Sequence, residues 1–136
     1  MASRRKSRRL VVQALYSWDT GVSDLPVLLQ FSWSDPSRED DLAFPRMILQ
    51  GTLENLAPVD QAISEHLTNW DIDRLAKVDL AILRMSTYCL MYQPDLPAQI
   101  TIDEAVELAK ELSTDEAYRF INGVLDGIRR DLQSKG

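Results

Sequence analysis

Apolar residues recur at three- and four-residue steps along most of the chain, the pattern of helices that bury one face. Leu10, Val11, Ala14, Leu15 and Trp18 share one stripe and predict a first helix from about Ser7 to Asp19, stopping at Thr20-Gly21. Asp24 with Pro26 marks a short second helix through Leu28 and Phe31. Ser34-Asp35-Pro36-Ser37 reads as a loop. A third helix spans roughly Asp40 to Leu56, with Phe44, Ile48 and Leu49 among its apolar positions. Pro58 begins a fourth, in which Val59, Ile63 and Leu67 recur at four-residue steps.

The second half continues in the same style. A long fifth helix from about Asp73 to Tyr92 carries Leu75, Val78, Ile82, Met85, Cys89 and Leu90 inward, and Pro94 and Pro97 end it. Thr101 followed by Glu104 has the spacing of a capping box and predicts the start of a sixth helix, with Ala105, Leu108, Ala109 and Leu112 buried. Ser113 followed by Glu116 repeats that spacing and opens a seventh helix through Phe120, Val124 and Ile128. Strand signals are nearly absent. The fold class expected is all-α: about seven helices in two packed small bundles, about 7–68 and about 70–132, with a seam near Asn69-Trp70-Asp71. Trp18, Val78, Ile82, Leu108, Phe120 and Val124 are expected in the core.

Size and composition narrow the class without naming a function. A chain of 136 residues, 45% apolar and 26% charged, is ordinary for one soluble domain. No apolar run approaches the ~20 residues needed to span a bilayer, so no membrane association is expected. Leu10-Val11-Val12 is too short an apolar stretch for a signal peptide. The single cysteine, Cys89, cannot form an internal disulfide, which makes the cytoplasm the economical location.

Charge changes the picture. Arg4, Arg5, Lys6, Arg8 and Arg9 crowd into the first nine positions, and no acidic residue precedes Asp19. Beyond residue 10, ten basic residues face twenty-one acidic ones, within a formal net charge of −6. A cationic head on an acidic body attracts a polyanion to one place and repels it elsewhere. A solvated basic tail is the competing reading of the head taken alone.

Enzyme motifs come up empty. The sequence has no phosphate-binding glycine loop, no glycine-flanked nucleophilic serine and no metal-ligand cluster. His66 beside Glu65 offers too few ligands for zinc and reads as a structural histidine. Cys89 reads as a small core hydrophobe. Asp103, Glu104, Glu107 and Glu111 are explained by capping and the helix dipole rather than by acid–base work. Neither an enzyme, a metal nor a cofactor is expected.

The first helix offers different chemistry. At roughly 100° per residue, Arg5, Arg9, Val12, Gln13 and Tyr16 fall opposite the Leu10–Ala14–Trp18 stripe. Guanidinium groups, an amide and an aromatic ring together suit single-stranded RNA: charge for the backbone, hydrogen bonds for base edges, a flat ring for stacking.

Three stretches carry a resemblance over essentially the whole chain. They are Val11-Val12-Gln13-Ala14-Leu15-Tyr16-Ser17-Trp18 after an arginine-rich start, Arg74 to Met85 in the fifth helix, and Ile102 to Lys110 followed by Arg119-Phe120-Ile121-Asn122-Gly123-Val124-Leu125-Asp126. In this order and spacing the chain resembles the bacterial NusB transcription antitermination factors. The resemblance implies a two-bundle helical fold without catalytic activity. It also implies binding to boxA RNA of ribosomal RNA transcripts together with NusE, a small-subunit ribosomal protein, and assembly with other Nus factors on elongating RNA polymerase. Carried over by position, the RNA-facing residues are Arg4, Arg5, Lys6, Arg8, Arg9, Gln13 and Tyr16, with the loop and helix start from Leu112 to Arg119. Asp79 falls where the family has an acidic residue near its NusE-facing surface.

The loop Glu111-Leu112-Ser113-Thr114-Asp115-Glu116-Ala117 departs from the family, which usually has a glycine there and often an aromatic before it. Leu112 has no ring to stack, and Asp115-Glu116 repels phosphate, which leaves Tyr118 and Arg119 to supply that contact. Asn122-Gly123 matches the family but reads as a structural helix approach. Two alternatives stay open: a helical adaptor that binds protein partners without boxA recognition, and a detached accessory domain of the kind found in ribosomal RNA cytosine methyltransferases. The oligomeric state, monomer or homodimer, is open too, because self-association in some family members masks the basic head.

Overall fold

Ten consecutive residues, Leu80 to Cys89, are buried in the computed structural model, which describes residues 4–34, 42–68 and 71–135. A helix buried on every side must lie at the centre of its neighbours. This is α5 (Lys77–Tyr92), and it packs against α1 (Arg4–Asp19), α3 (Ala43–Glu54), α4 (Leu56–Ser64), α6 (Ala98–Leu112) and α7 (Ala117–Lys135). A single turn of helix, α2 (Leu25–Leu28), and a 3-10 turn at Ile72–Arg74 complete the architecture. Among the described residues there is no strand, in agreement with the all-helical expectation. Of the expected seam at Asn69-Trp70-Asp71, Asn69 and Trp70 lie outside the described residues and Asp71 precedes the 3-10 turn; the buried apolar side chains from both halves form one continuous cluster.

Burying α5 requires burying Arg84. Its guanidinium meets the Asp60 carboxylate through two hydrogen bonds of 2.9 Å, lies 3.5 Å from Asp19, and sits 5.7 Å over the Trp18 ring. Burial opposes the charge, but the two carboxylates outweigh it and hold the Arg84 pKa above its usual value. The network ties α1, α4 and α5 together through groups that are costly to leave unpaired. Cys89, on the same helix, is a buried thiol pushed up to about 11 by desolvation, partly offset by Arg8. It fits the reading as a core hydrophobe.

Element ends depart from the sequence expectations in instructive ways. Helix α1 starts a turn earlier than Ser7, because arginine and lysine are good helix formers and Ser7 and Arg8 are drawn into the core. It stops as expected, with Gly21 in the left-handed region at φ 79°. The fifth helix begins at Lys77 rather than Asp73, since Leu75 and Ala76 are extended. Neither expected capping box forms. Helix α6 begins at Ala98 behind Pro97, whose fixed φ starts the helix early, so Thr101 is buried within it. Ser113 ends α6 rather than starting α7: its N–H donates to the Ala109 carbonyl at 2.9 Å. Of the six expected core residues, Ile82, Leu108 and Val124 are buried, while Trp18, Val78 and Phe120 are half-buried at the edge of the cluster. His66 is half-buried, with Nε2 2.8 Å from Asp131 on α7.

Candidate nucleic-acid interface

Helix α1 has two unlike faces. Leu10, Val11, Val12, Ala14 and Leu15 are buried, whereas Arg4, Arg5, Lys6, Gln13 and Tyr16 are exposed and Arg9 is half-exposed. Val12, which the helical wheel put on the exposed face, is 1% exposed because α1 is covered over more than half its circumference.

The basic head does not act as one group. Arg8 is buried, with its guanidinium 5.8 Å over the Phe44 ring, and desolvation lowers its pKa. The expectation that Arg8 faces RNA is therefore corrected: its side chain belongs to the α1–α3 contact. Arg4 reaches the same ring at 3.8 Å from the exposed side. Arg5 donates from Nε to Glu104 at 3.1 Å, and the bond and charge of Glu104 raise its pKa. Arg9 pairs with Glu111 at 2.5 Å. The expectation that capping and dipole alone explain Glu104 and Glu111 fails: Glu104 lies past the first turn of α6 and Glu111 lies near its end. Both carboxylates serve as counter-charges for α1.

Beside Tyr16 an open groove of about 520 Å³ is lined by Val12, Gln13, Tyr16, Ser17, Val78 and Leu112. Its lining is mostly apolar, and the Tyr16 ring and the Gln13 side chain stand among the residues that form it. Leu112, expected to be a poor substitute for a ring, contributes apolar wall. Tyr118 and Arg119 form a cluster of their own: Arg119 Nε donates to Tyr118 Oη at 3.0 Å and pairs with Glu116 at 3.3 Å, while Lys110 lies 4.9 Å from the Tyr118 ring centre. Asp79, in the first turn of α5, is half-buried and accepts a hydrogen bond from Ser113 Oγ at 2.5 Å. That bond fixes the end of α6 to the start of α5 at the edge of the groove.

Among the described residues no cluster of three or more His, Cys, Asp or Glu side chains could hold a metal ion. No helix among them is long and apolar enough to cross a membrane.

Comparison with known proteins agrees with this architecture. The family model described as the NusB family matches residues 5–130. The transcription antitermination protein NusB of Treponema denticola is 50% identical over 129 residues, covering 93% of this chain and 95% of that one. A solved structure of T. maritima NusB is 34% identical and superposes with a TM-score of 0.86 over 96% of this chain and 92% of that one. A structure of antitermination factors NusB and NusE in complex with dsRNA is 22% identical, with a TM-score of 0.80 over 94% and 96% of the two chains, and shares the fold. An all-helical protein with a cationic, aromatic helix face is thus matched along nearly its whole length by transcription antitermination proteins. The chain belongs to the NusB family.

Proposed function

We propose that this protein is a cytoplasmic transcription antitermination factor that binds boxA-type single-stranded RNA together with NusE. In this reading the assembly joins elongating RNA polymerase and other Nus factors. The observation that carries the RNA reading is the exposed strip of α1, with Arg4, Arg5, Lys6, Arg9, Gln13 and Tyr16 running alongside an apolar groove. Phosphates take over Arg5 and Arg9 from Glu104 and Glu111, and an unstacked base lies against Tyr16 with the groove beneath it. Tyr118 and Arg119 extend the contact along α7. NusE docks near Asp79, where an acidic body suits a basic ribosomal protein.

The test is a titration with a boxA-like single strand, with and without NusE, while sedimentation reads whether the chain is a monomer or a homodimer that covers its own head. Salt-dependent RNA binding that tightens when NusE is added is the expected result. Binding to NusE with no RNA affinity in either arm would favour the helical adaptor instead.

A further inference from the structure

Trp33 lies beside α1, in the turn after α2, and is 44% exposed, as open as Tyr16 at 45%. Its position is built rather than accidental. Phe31 is buried in the core and adopts φ 49°, a left-handed conformation that costs a residue with a β-carbon free energy and persists only where packing enforces it. That reversal sets the Trp33 ring 5.2 Å from the Phe31 ring, inclined at 55°. The indole Nε1–H then donates to Gln13 Oε1 at 2.9 Å.

An indole nitrogen can only donate, so the bond fixes which end of the Gln13 amide faces Trp33. The oxygen is engaged, and the Nε2 hydrogens find no acceptor among the described residues. We propose that Trp33 and Gln13 form a second base-reading pair, with the indole as a stacking surface and the amide presenting donors to a base that bears a carbonyl. Glutamine reads adenine with its oxygen and nitrogen together. With the oxygen turned to Trp33, uracil O4 or guanine O6 is the better partner. The proposal deepens the RNA-binding reading and rests on it.

The experiment uses the full chain and a boxA-like strand, with copies in which each uracil and each guanine in turn is replaced by adenine. Trp33→Ala should weaken binding by about 5- to 100-fold at every salt concentration, as loss of one stacking ring does. Trp33→Phe keeps a ring but frees the Gln13 amide. It should bind the parent strand nearly as well, yet lose about fivefold or more of the preference for uracil or guanine over adenine at one position. Unchanged affinity in Trp33→Ala overturns the stacking role, and an unchanged base preference in Trp33→Phe overturns the readout. Should Trp33→Ala lose its fold, indole emission decides: RNA should quench the wild type more than Trp33→Phe, and equal quenching overturns the pair. Failure of the wild type to bind any strand would instead remove the RNA reading itself.

Discussion

Arg5 on α1 donates to Glu104 on α6 at 3.1 Å, joining two residues ninety-nine positions apart in the chain. With Arg9 and Glu111 it forms a pair of carboxylate clamps on the cationic strip. In the proposed reading RNA displaces these carboxylates, so part of the strip's attraction for phosphate is spent in exchange rather than gained outright.

Removing the clamps should therefore favour RNA. Glu104→Gln combined with Glu111→Gln is expected to tighten binding several-fold at low salt, with the gain shrinking as salt screens it. Exposed pairs of this kind add little to stability, so the fold should lose little. Parallel RNA titrations and urea unfolding check both halves.

The buried network behaves oppositely. Asp60→Ala leaves the Arg84 guanidinium with Asp19 as its remaining carboxylate partner in a mostly dry site. Loss of such a partner costs about 3 kcal/mol, against less than about 1 kcal/mol for Arg9→Gln. Urea denaturation of the two variants should separate them clearly.

Cys89 supplies a pH test. Its thiol is raised from 9.0 to about 11 in the fold, so between those values the unfolded chain has lost a proton that the folded chain keeps. Stability must then fall as pH rises through that window and be unaffected by this group below it. The difference in unfolding free energy between wild type and Cys89→Ala should drift by roughly 2–3 kcal/mol from pH 9 to 11. A flat difference would show that the thiol is less buried than described.

Asp79 tests the NusE surface. Charge reversal there would also sever the Ser113 bond, whereas Asp79→Asn keeps an acceptor for Ser113 Oγ. Asp79→Asn should weaken NusE binding with little change in thermal unfolding, as read by calorimetry of the two components. Unaltered affinity would place NusE elsewhere.

Most of the fold was legible in the sequence because helical periodicity is a local signal. The capping boxes misled because a nearby proline fixed where α6 begins, and because Ser113 is held by a partner on another helix. The candidate site was legible in residue type but not in role. Nothing local distinguishes Arg8, which is buried beside Phe44, from Arg9, which stays half-exposed, until α3 and α6 are packed against α1. Trp33 lay twenty residues from Gln13 in a stretch with no periodicity, and a long-range hydrogen bond alone links them.

The most direct test of the account is the salt dependence of RNA binding. Residues 1–9 should not be deleted, because Ser7 and Arg8 are core residues. Glutamine at Arg4, Arg5, Lys6 and Arg9 neutralises the strip while Arg8 stays in place. If three or four of these cations meet phosphates, the wild type should lose affinity with a log–log slope of about −2 to −3 against salt, and the neutralised variant should be nearly flat. Tyr16→Ala should keep the wild-type slope and weaken binding by about 1–3 kcal/mol at every salt concentration. A neutralised variant that bound boxA-like RNA with the wild-type affinity and slope would contradict the account.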